Sequence, residues 1–575
     1  MNNNIKFLSI PILLSAVLFG GLWMMTESAT ASSNASFIAP PGPICRNGAS
    51  GNVPDFNLTY ASTGSGGMDL AFSLGFAPQV QNIPTTQGYI ESIPTIRFKP
   101  KLNSAGQRVT DEYWLVRNEG DLINYSSSQL DPYLSEPADA PAPYTTGLGP
   151  RIRANPGNIW IVGNEVDRDR IQDSLLPETY ARAYHDSYAY IKSVDPTAQI
   201  AVSGLVNFSP GRRQYLDLVV GEYQRIYGHA MPVDIWTMHA YNLWGRGFES
   251  DGSEDIGAGV ALGTDPNLAW QNAIKKSFVD EGRCKLDDVI CIKEHDDVGL
   301  FQYQVVSMRQ WMKDHGYQEK PLMLTEWGLN LNSDLCDEDD NRITAQRAAG
   351  FLTATVNWMD AHKDSALGYS LDEGRLVQRW AWFGVNYDIP IPGLADVSHL
   401  LTDYTINYPS CGSQDFPSKI ANAGNNNALT VVGQAYKNVI AVQNANTPPS
   451  VDFVIDSVSN GAGVLMNPGD TVTTTIGLSV RNVGNSPTGQ NTTVEFRDAS
   501  NNSVIGTFII PPNFQGCTTA LYHGSVTWPR TAEGTFNFNV TIQSPEETGA
   551  ATGNNFGSGT VFVGKYGVWL PLINK

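Results

Sequence analysis

The sequence predicts an α/β protein, a (β/α)8 TIM barrel followed by a small all-β immunoglobulin-like sandwich. Apolar strands and amphipathic helices alternate through the middle of the chain, which is typical of a parallel sheet with crossover helices. About 400 residues are available for eight such units, the size of a barrel with long loops. The helical periodicity stops at a polar, Pro-containing linker, residues 443–450.

The strands and helices of the predicted barrel differ in how well the pattern defines them. Predicted strands occupy 159–162, 200–202, 233–239, 322–325 and 380–383. Helical stripes occupy 177–194, 215–226, 351–359 and 429–440. The first three strands must lie earlier in the chain, where 68–74, 93–98 and 113–116 are the candidates. We therefore expect the barrel to span 58–442, after a polar segment at 32–57.

Beyond the linker, short strands bounded by Asn, Gly, Pro and Asp turns predict a sandwich over 451–566, with a tail at 567–575. The expected strands are 451–455, 471–480, 492–496, 503–510, 525–528 and 535–542.

The N-terminus carries the features of an export signal. Lys6 precedes an apolar run at 7–25, and Ala29-Thr30-Ala31 matches a signal-peptidase site. A signal peptide at 1–31 is expected, and a retained membrane anchor is the alternative because the run is long. Both place the remaining chain outside the cell, so we expect a secreted or cell-surface protein.

Six cysteines in an exported chain favour disulfide bonds over a metal site, since their spacing is not that of zinc ligands. Cys284 could pair with Cys291 and Cys336 with Cys411, among fifteen connectivities. The chain has 37 basic and 57 acidic residues, a net charge of −20, and shows no basic face for a nucleic acid. The oligomeric state is left open.

Two strand-end carboxylates are the strongest functional signal. Trp160-Ile-Val-Gly-Asn-Glu165 and Pro321-Leu-Met-Leu-Thr-Glu326-Trp-Gly are both apolar strands that end in a glutamate. Side chains at the carboxyl ends of barrel strands point into the mouth where such folds carry out chemistry. Cleavage of a glycosidic bond needs two carboxyl groups, one protonated and one ionised.

These motifs resemble the clan of retaining (β/α)8 glycoside hydrolases, which have an Asn-Glu acid/base on strand four and a nucleophile glutamate on strand seven. The resemblance covers roughly residues 68–442. It implies Glu165 as acid/base, Glu326 as nucleophile and a carbohydrate substrate, with no cofactor or metal. The implied substrate contacts are Asn164, His239, Tyr241, Trp327 and Trp382, and Arg97 is a weaker candidate for a hydrogen bond to the nucleophile. A structural pair at the strand end is the alternative for His239 and Tyr241, and core packing is the alternative for Trp382.

Three alternatives remain beside this interpretation. A second Asn-Glu at Asn118-Glu119 echoes the first motif, although Arg117 replaces the glycine. The acidic clusters 294–297 and 337–340 could hold calcium, but solvated loop charge explains them better because neither has EF-hand spacing. The whole chain could instead be a non-catalytic carbohydrate-binding or adhesive surface protein on a degenerate barrel. The sandwich resembles bacterial cell-adhesion modules, which implies a spacer or a contact with carbohydrate, the cell surface or the cell wall.

Overall fold

The computed structural model describes residues 45–51, 67–71, 83–85, 88–116, 130–131, 148–169, 172–245, 247–248, 254–255, 259–272, 289–329, 336–384, 396–402, 404–407, 411, 418–421, 428–459, 464–467, 469–517, 521–547 and 549–564. The expected signal segment, the tail at 567–575 and Glu119 lie outside these residues. None of the helices in these ranges is long and apolar enough to cross a membrane.

Eight parallel strands form one continuous sheet. They are β1 Asn47–Gly51, β2 Gly67–Ala71, β3 Gly88–Ile96, β4 Ile159–Val162, β5 Gln199–Val202, β6 Trp236–His239, β7 Leu322–Trp327 and β8 Arg379–Phe383. Their order in the sheet is β6-β7-β8-β1-β2-β3-β4-β5. A parallel bridge between Ala201 and Ile235, with Val202 N donating to Ile235 O at 3.1 Å, joins the segments of β5 and β6. The sheet therefore closes into a ring.

Helices on the outside of the ring follow the strands along the chain. They are α1 Leu148–Ala154, α2 Pro177–Val194, α3 Pro210–Tyr227, α4 Val298–Asp314, α5 Ala345–Ala361 and α6 Val431–Ala445. Proline at the first helical position begins α2, because its fixed φ suits the helix and its missing N–H would be unpaired there anyway. Asp195 caps the other end of α2, as the Asp-Pro pair predicts.

Both faces of the ring strands are covered, so β4 and β7 are buried along their whole length. Ile159 and Ile161 point into the ring, where they meet Met323 and Ala381. Trp160, between them, points outward into the larger core formed with the helices. This alternation places residues at the strand ends either in the mouth of the ring or under a helix.

Two expectations for the N-terminal region are wrong. The first ring strand, β1, lies inside the segment assigned to 32–57, where the polar residue Asn47 obscured the strand pattern. Asn47 is buried because its side chain accepts a hydrogen bond from Trp380 Nε1 and donates one to Gln443 Oε1. The candidate strand at 113–116 belongs instead to an antiparallel hairpin, Phe98–Leu102 with Arg108–Val116, outside the ring.

Shorter strands occur between and after the ring strands. They are Ile83–Thr85, Leu130–Asp131, Gly247–Phe248, Glu254–Asp255, Gln271–Asn272, Val289–Ile290, Leu401–Thr402, Tyr404–Asn407, Ser418–Ala421 and Ala428–Leu429.

The C-terminal region contains two sheets that share one apolar core. The first consists of Phe453–Ser459, Val472–Asn482 and Tyr522–Arg530, all antiparallel. The second consists of Val464–Leu465, Phe556–Gly564, Gly534–Gln543, Thr492–Asp498 and Val504–Ile510. Strand Phe556–Gly564 was not predicted, since its glycines weaken the strand pattern.

Two disulfide bonds join cysteines that are both among the described residues. Cys336–Cys411 confirms one expected pair, with 6.0 Å between the Cα atoms. Cys45–Cys517 was not predicted. It links the chain just before β1 to the C-terminal region, across 472 positions of sequence. Cys291 is also disulfide-bonded, whereas Cys284 lies outside the described residues.

Candidate active site

Three ring strands bring the predicted carboxylates and their neighbours to one edge. β4 ends at Val162, and Glu165 follows it after a short turn. His239 ends β6 and is in register with Glu326 on the adjacent strand β7. Because all strands of the ring run parallel, these strand ends meet in a single mouth.

His239 lies between the two glutamates. Its Nδ1 is 3.1 Å from Glu165 Oε1, and its Nε2 is 3.4 Å from Glu326 Oε1. One ligand atom from each of these three side chains can be chosen so that all lie within 4.8 Å of one another. All three side chains are almost fully buried. A proton added to this cluster can thus be shared among three groups.

Glycines permit this close approach. Gly163, in the turn before Glu165, has φ +95°, and a Cβ there would lie 2.5 Å from Val166 Cγ1. A Cβ on Gly204 would lie 2.5 Å from His239 Cδ2. Glu165 itself has φ +43°, a left-handed conformation that is uncommon for non-glycine residues. Strain of this kind is typical of functional positions.

The two glutamates have different second partners. Arg168 Nη1 donates to Glu165 Oε2 at 2.8 Å. Tyr241, two residues after His239, donates its hydroxyl to Glu326 Oε2 at 2.8 Å. One glutamate therefore has a cation beside it, and the other has a neutral hydrogen-bond donor.

The pKa values of the two carboxyl groups are shifted in opposite directions. Burial raises the pKa of Glu165, but Arg168 and His239 outweigh it and lower that pKa to about 2. Burial raises the pKa of Glu326 to about 7, against the opposing effect of His239. Burial lowers the pKa of His239, but the two glutamates outweigh it and raise that pKa above its ordinary value.

Buried ion pairs support the turn after β4. Asp173 accepts from Arg97 Nε at 2.6 Å and from the backbone N–H of Asn164 at 3.0 Å. Arg212 Nε lies 2.9 Å from Asp167 Oδ2, and both side chains are buried. Sequence reasoning missed Asp167, Arg168, Asp173 and Arg212. The alternation of acidic residues and arginines from 165 to 173 could have indicated these ion pairs.

The predicted substrate contacts do not all reach the site. His239 and Tyr241 contact the glutamates directly, and Asn164 adjoins Glu165 with its amide 3.3 Å from Gln172 Oε1. Arg97 pairs with Asp173, yet it is near enough to Glu326 to lower that group's pKa.

Trp327 and Trp382 do not meet the expectation of sugar contacts, because neither indole is exposed. Trp327 Nε1 donates to Thr355 Oγ1 at 3.0 Å, and Trp382 Nε1 donates to the Ser398 carbonyl at 2.8 Å. The two rings pack edge to face with centroids 5.2 Å apart. Both are core residues under the site.

The expectation that the acidic clusters 294–297 and 337–340 are solvated loop charge is also corrected in part. Glu294 and Asp337 are buried, so they are not solvated loop charge. Glu294 accepts from the Cys291 backbone N–H, and Asp297 caps α4 by accepting from Leu300 N. Asp337 pairs with Arg347 at 3.0 Å. Their hydrogen bonds hold loops at the mouth of the ring in place.

Glu165, His239 and Glu326 also have the chemistry of divalent metal ligands, since carboxylate oxygens and imidazole nitrogens are common donors. The guanidinium of Arg168 competes for Glu165, and His239 directs one nitrogen to each carboxylate. This alternation of acids and bases suits proton transfer.

No family model matches the sequence, and no curated protein matches it. Solved structures with similarity include a glucosidase from Croceicoccus marinus, at 11% identity and TM-score 0.37, over 85% of this chain and 94% of that one. A monomeric beta-xylosidase from Caulobacter crescentus CB15 is similar at 12% identity and TM-score 0.35, over 86% and 95%. The CARDB domain of the PF1109 protein from Pyrococcus furiosus is similar at 17% identity and TM-score 0.17, over 20% and 97%.

Proposed function

We propose that this protein is a retaining glycoside hydrolase that cleaves O-glycosidic bonds of extracellular poly- or oligosaccharides. The observation that carries the proposal is the pair of buried strand-end glutamates, Glu165 and Glu326, whose nearest oxygens lie within 4.8 Å. Retaining enzymes place their carboxyl groups about 5–5.5 Å apart, whereas inverting enzymes need roughly 6.5–9.5 Å to admit a water. The spacing here supports direct attack by one carboxylate.

In the proposed first step, Glu326 attacks the anomeric carbon while Glu165 gives a proton to the leaving oxygen. The C–O bond to the leaving group breaks, and a glycosyl ester forms on Glu326. Glu165, now ionised, then takes a proton from water as that water attacks the same carbon. The sugar leaves with its original configuration, and both carboxyl groups return to their starting states.

Tyr241 and His239 have supporting roles in this proposal. The Tyr241 hydroxyl orients Glu326 and stabilises its ionised form, because a hydrogen bond donated to a carboxylate lowers the pKa of that carboxyl group. His239 contacts both carboxyl groups and can hold the proton that one of them releases. The eight-stranded ring acts as the (β/α)8 barrel that presents these groups at its mouth.

We also propose that the C-terminal sandwich is an immunoglobulin-like module that positions the enzyme at a surface outside the cell. The two disulfide bonds, Cys45–Cys517 and Cys336–Cys411, support an oxidising environment. Every group of the candidate site precedes residue 450, so the sandwich is assigned no part in the chemistry.

Hydrolysis of a polysaccharide panel tests the proposed function directly. Purified full-length protein is incubated with neutral and acidic polysaccharides, and reducing ends and anomeric configuration are followed by assay and NMR. We expect at least one substrate to be cleaved with retention, and Glu326→Gln to abolish that cleavage. Inversion of configuration, or equal activity of the Gln variant, would contradict the proposal.

A further inference from the structure

Arg168 pairs with the carboxyl group that the proposed mechanism needs in its protonated form. Its Nη1 is 2.8 Å from Glu165 Oε2, and the Arg168 side chain is 23% exposed whereas that of Glu165 is 5% exposed. A guanidinium at this distance favours the ionised carboxylate. While Arg168 stays in place, Glu165 is therefore held in its ionised form and has no proton to give to the leaving oxygen.

The neighbouring arginines do not have this conflict. Arg97 and Arg212 are fully buried, and each pairs with an aspartate that has no role in the chemistry. Arg168 is the more exposed cation, and among the described residues its guanidinium forms a hydrogen-bonded ion pair with Glu165. Its remaining N–H groups form no hydrogen bond or ion pair within the part of the chain that the structure describes.

The backbone at Arg168 is fixed although its side chain reaches the mouth. Arg168 forms an antiparallel bridge with Ala261, and Leu262 N donates to Asp167 O at 3.0 Å. The Arg168 N–H donates to the Glu165 carbonyl at 3.0 Å, so the two residues are held one turn apart. A group bound by the guanidinium must therefore lie beside the bond that Glu165 protonates.

We propose that Arg168 binds a carboxylate of the substrate, so that the enzyme acts on glycans with a uronic acid residue next to the scissile bond. The planar guanidinium fork matches a carboxylate in two parallel hydrogen bonds. When Arg168 turns to the uronate, its hold on Glu165 is released. The lowered pKa of Glu165 then returns toward the range of a general acid. The inference rests on the proposed function and assigns the substrate class of that site.

The test compares acidic polysaccharides with the same polymers after chemical reduction of their carboxyl groups to alcohols. Each pair has the same linkages and ring configurations, so only the charge differs. We expect wild-type kcat/KM to be roughly 10- to 100-fold higher on the acidic member, the usual effect of a hydrogen bond to a charged group. In Arg168→Gln the preference should fall to within about threefold, mainly by loss of activity on the acidic member.

Arg225→Gln is the matched control. Arg225 is exposed on α3 and pairs with Glu222, so this variant removes the same charge far from the mouth. Arg225→Gln should keep the wild-type preference for acidic over carboxyl-reduced polysaccharides. Thermal unfolding of both variants shows whether each is folded.

Binding gives a readout independent of turnover. In the Glu326→Gln background, calorimetry should show that uronic acid oligosaccharides bind at least tenfold more weakly once Arg168→Gln is added. Reduced oligosaccharides should bind equally to both proteins.

The failures of the two proposals are distinguishable. If the wild type cleaves the reduced polymers as well as the acidic ones, or Arg168→Gln keeps the preference, the uronate inference is wrong and the glycosidase proposal stands. If no polymer of either kind is cleaved, the glycosidase proposal itself fails and the inference fails with it.

Discussion

The end of β4 and the end of β7 carry the same residue type in different surroundings. Glu165 follows a strained glycine turn and lies beside a cation, Arg168. Glu326 is part of a fully buried strand and accepts from a neutral hydroxyl. The pKa of Glu165 is therefore lowered and that of Glu326 raised. In the unliganded protein the proton thus favours Glu326, the reverse of what the proposed first step requires.

The proposed mechanism therefore requires substrate binding to reverse this pKa order. The exclusion of water by a bound sugar and the proposed turn of Arg168 to a uronate would both favour a protonated Glu165. The order of the two pKa values in the unliganded protein favours the opposite assignment, in which Glu326 is the acid/base and Glu165 is the nucleophile. The following experiments separate these readings, beginning with the largest expected effect.

Glu326→Ala should lower kcat on the order of 10⁴-fold or more, because no covalent intermediate can form without the nucleophile. Azide added to this variant should occupy the vacated space and attack the anomeric carbon directly. The glycosyl azide formed on an activated aryl glycoside would then have inverted configuration, measurable by NMR. A retained azide product from Glu326→Ala would show that the roles of the two glutamates are exchanged.

Glu165→Ala should lower kcat/KM roughly 10²- to 10⁴-fold on substrates with poor leaving groups, the usual contribution of a general acid. Activated aryl glycosides should still form the glycosyl-enzyme, because their leaving groups depart without a proton. Azide should restore turnover, with a product of retained configuration. Glu119→Ala is the control for the second Asn-Glu motif, and azide rescue of that variant instead would place the acid/base there.

Tyr241→Phe should lower kcat roughly 10-fold, or up to about 100-fold, through loss of a hydrogen bond to a charged group. The hydroxyl lowers the pKa of Glu326, so its removal raises that pKa further. In the free protein, which the kcat/KM profile reports, Glu326 has the higher pKa of the two carboxyl groups, so the basic limb of that profile should move to higher pH. An unmoved basic limb would mean that this limb does not report Glu326.

Arg168→Gln should change turnover of uncharged aryl glycosides by less than about tenfold while moving the acid limb of the kcat/KM profile. Arg168 lowers the pKa of Glu165, so the variant raises that pKa and Glu165 stays protonated to higher pH. Because Glu165 has the lower pKa of the two carboxyl groups in the free protein, the acid limb of kcat/KM should shift to higher pH. A downward shift would show that Arg168 assists the protonated form.

Removal of the C-terminal region should have the smallest effect on turnover, because the groups at both strand ends precede it in the chain. A chain ending at residue 444, with Cys45→Ser to avoid a free thiol, should keep turnover of small aryl glycosides within tenfold. It should unfold at a lower temperature, since it loses the Cys45–Cys517 bond and the contact of Leu521 N with Pro156 O. A larger loss of turnover in a folded protein would show that the C-terminal region shapes the mouth.

Features that follow local sequence pattern could be predicted without the structure. Continuous apolar runs identified β4, β5, β7 and β8, because strands covered on both faces need no polar alternation. Strand ends identified Glu165 and Glu326, and period-two spacing after β6 placed His239 and Tyr241 on one face. The change from helical to strand periodicity near 450 marked the second region.

Features that depend on contacts between residues distant in sequence could not be predicted and became clear only in the folded protein. β1 was missed because Asn47 resembles a loop residue until Trp380 and Gln443 satisfy its side chain. Trp382 resembled a sugar platform, but the Ser398 carbonyl and the packing of Trp327 bury it. The pKa order of the two glutamates depends on Arg168 and on burial, and a strand motif encodes neither. Contacts between residues far apart in sequence, in a medium that excludes water, set the chemistry of this mouth.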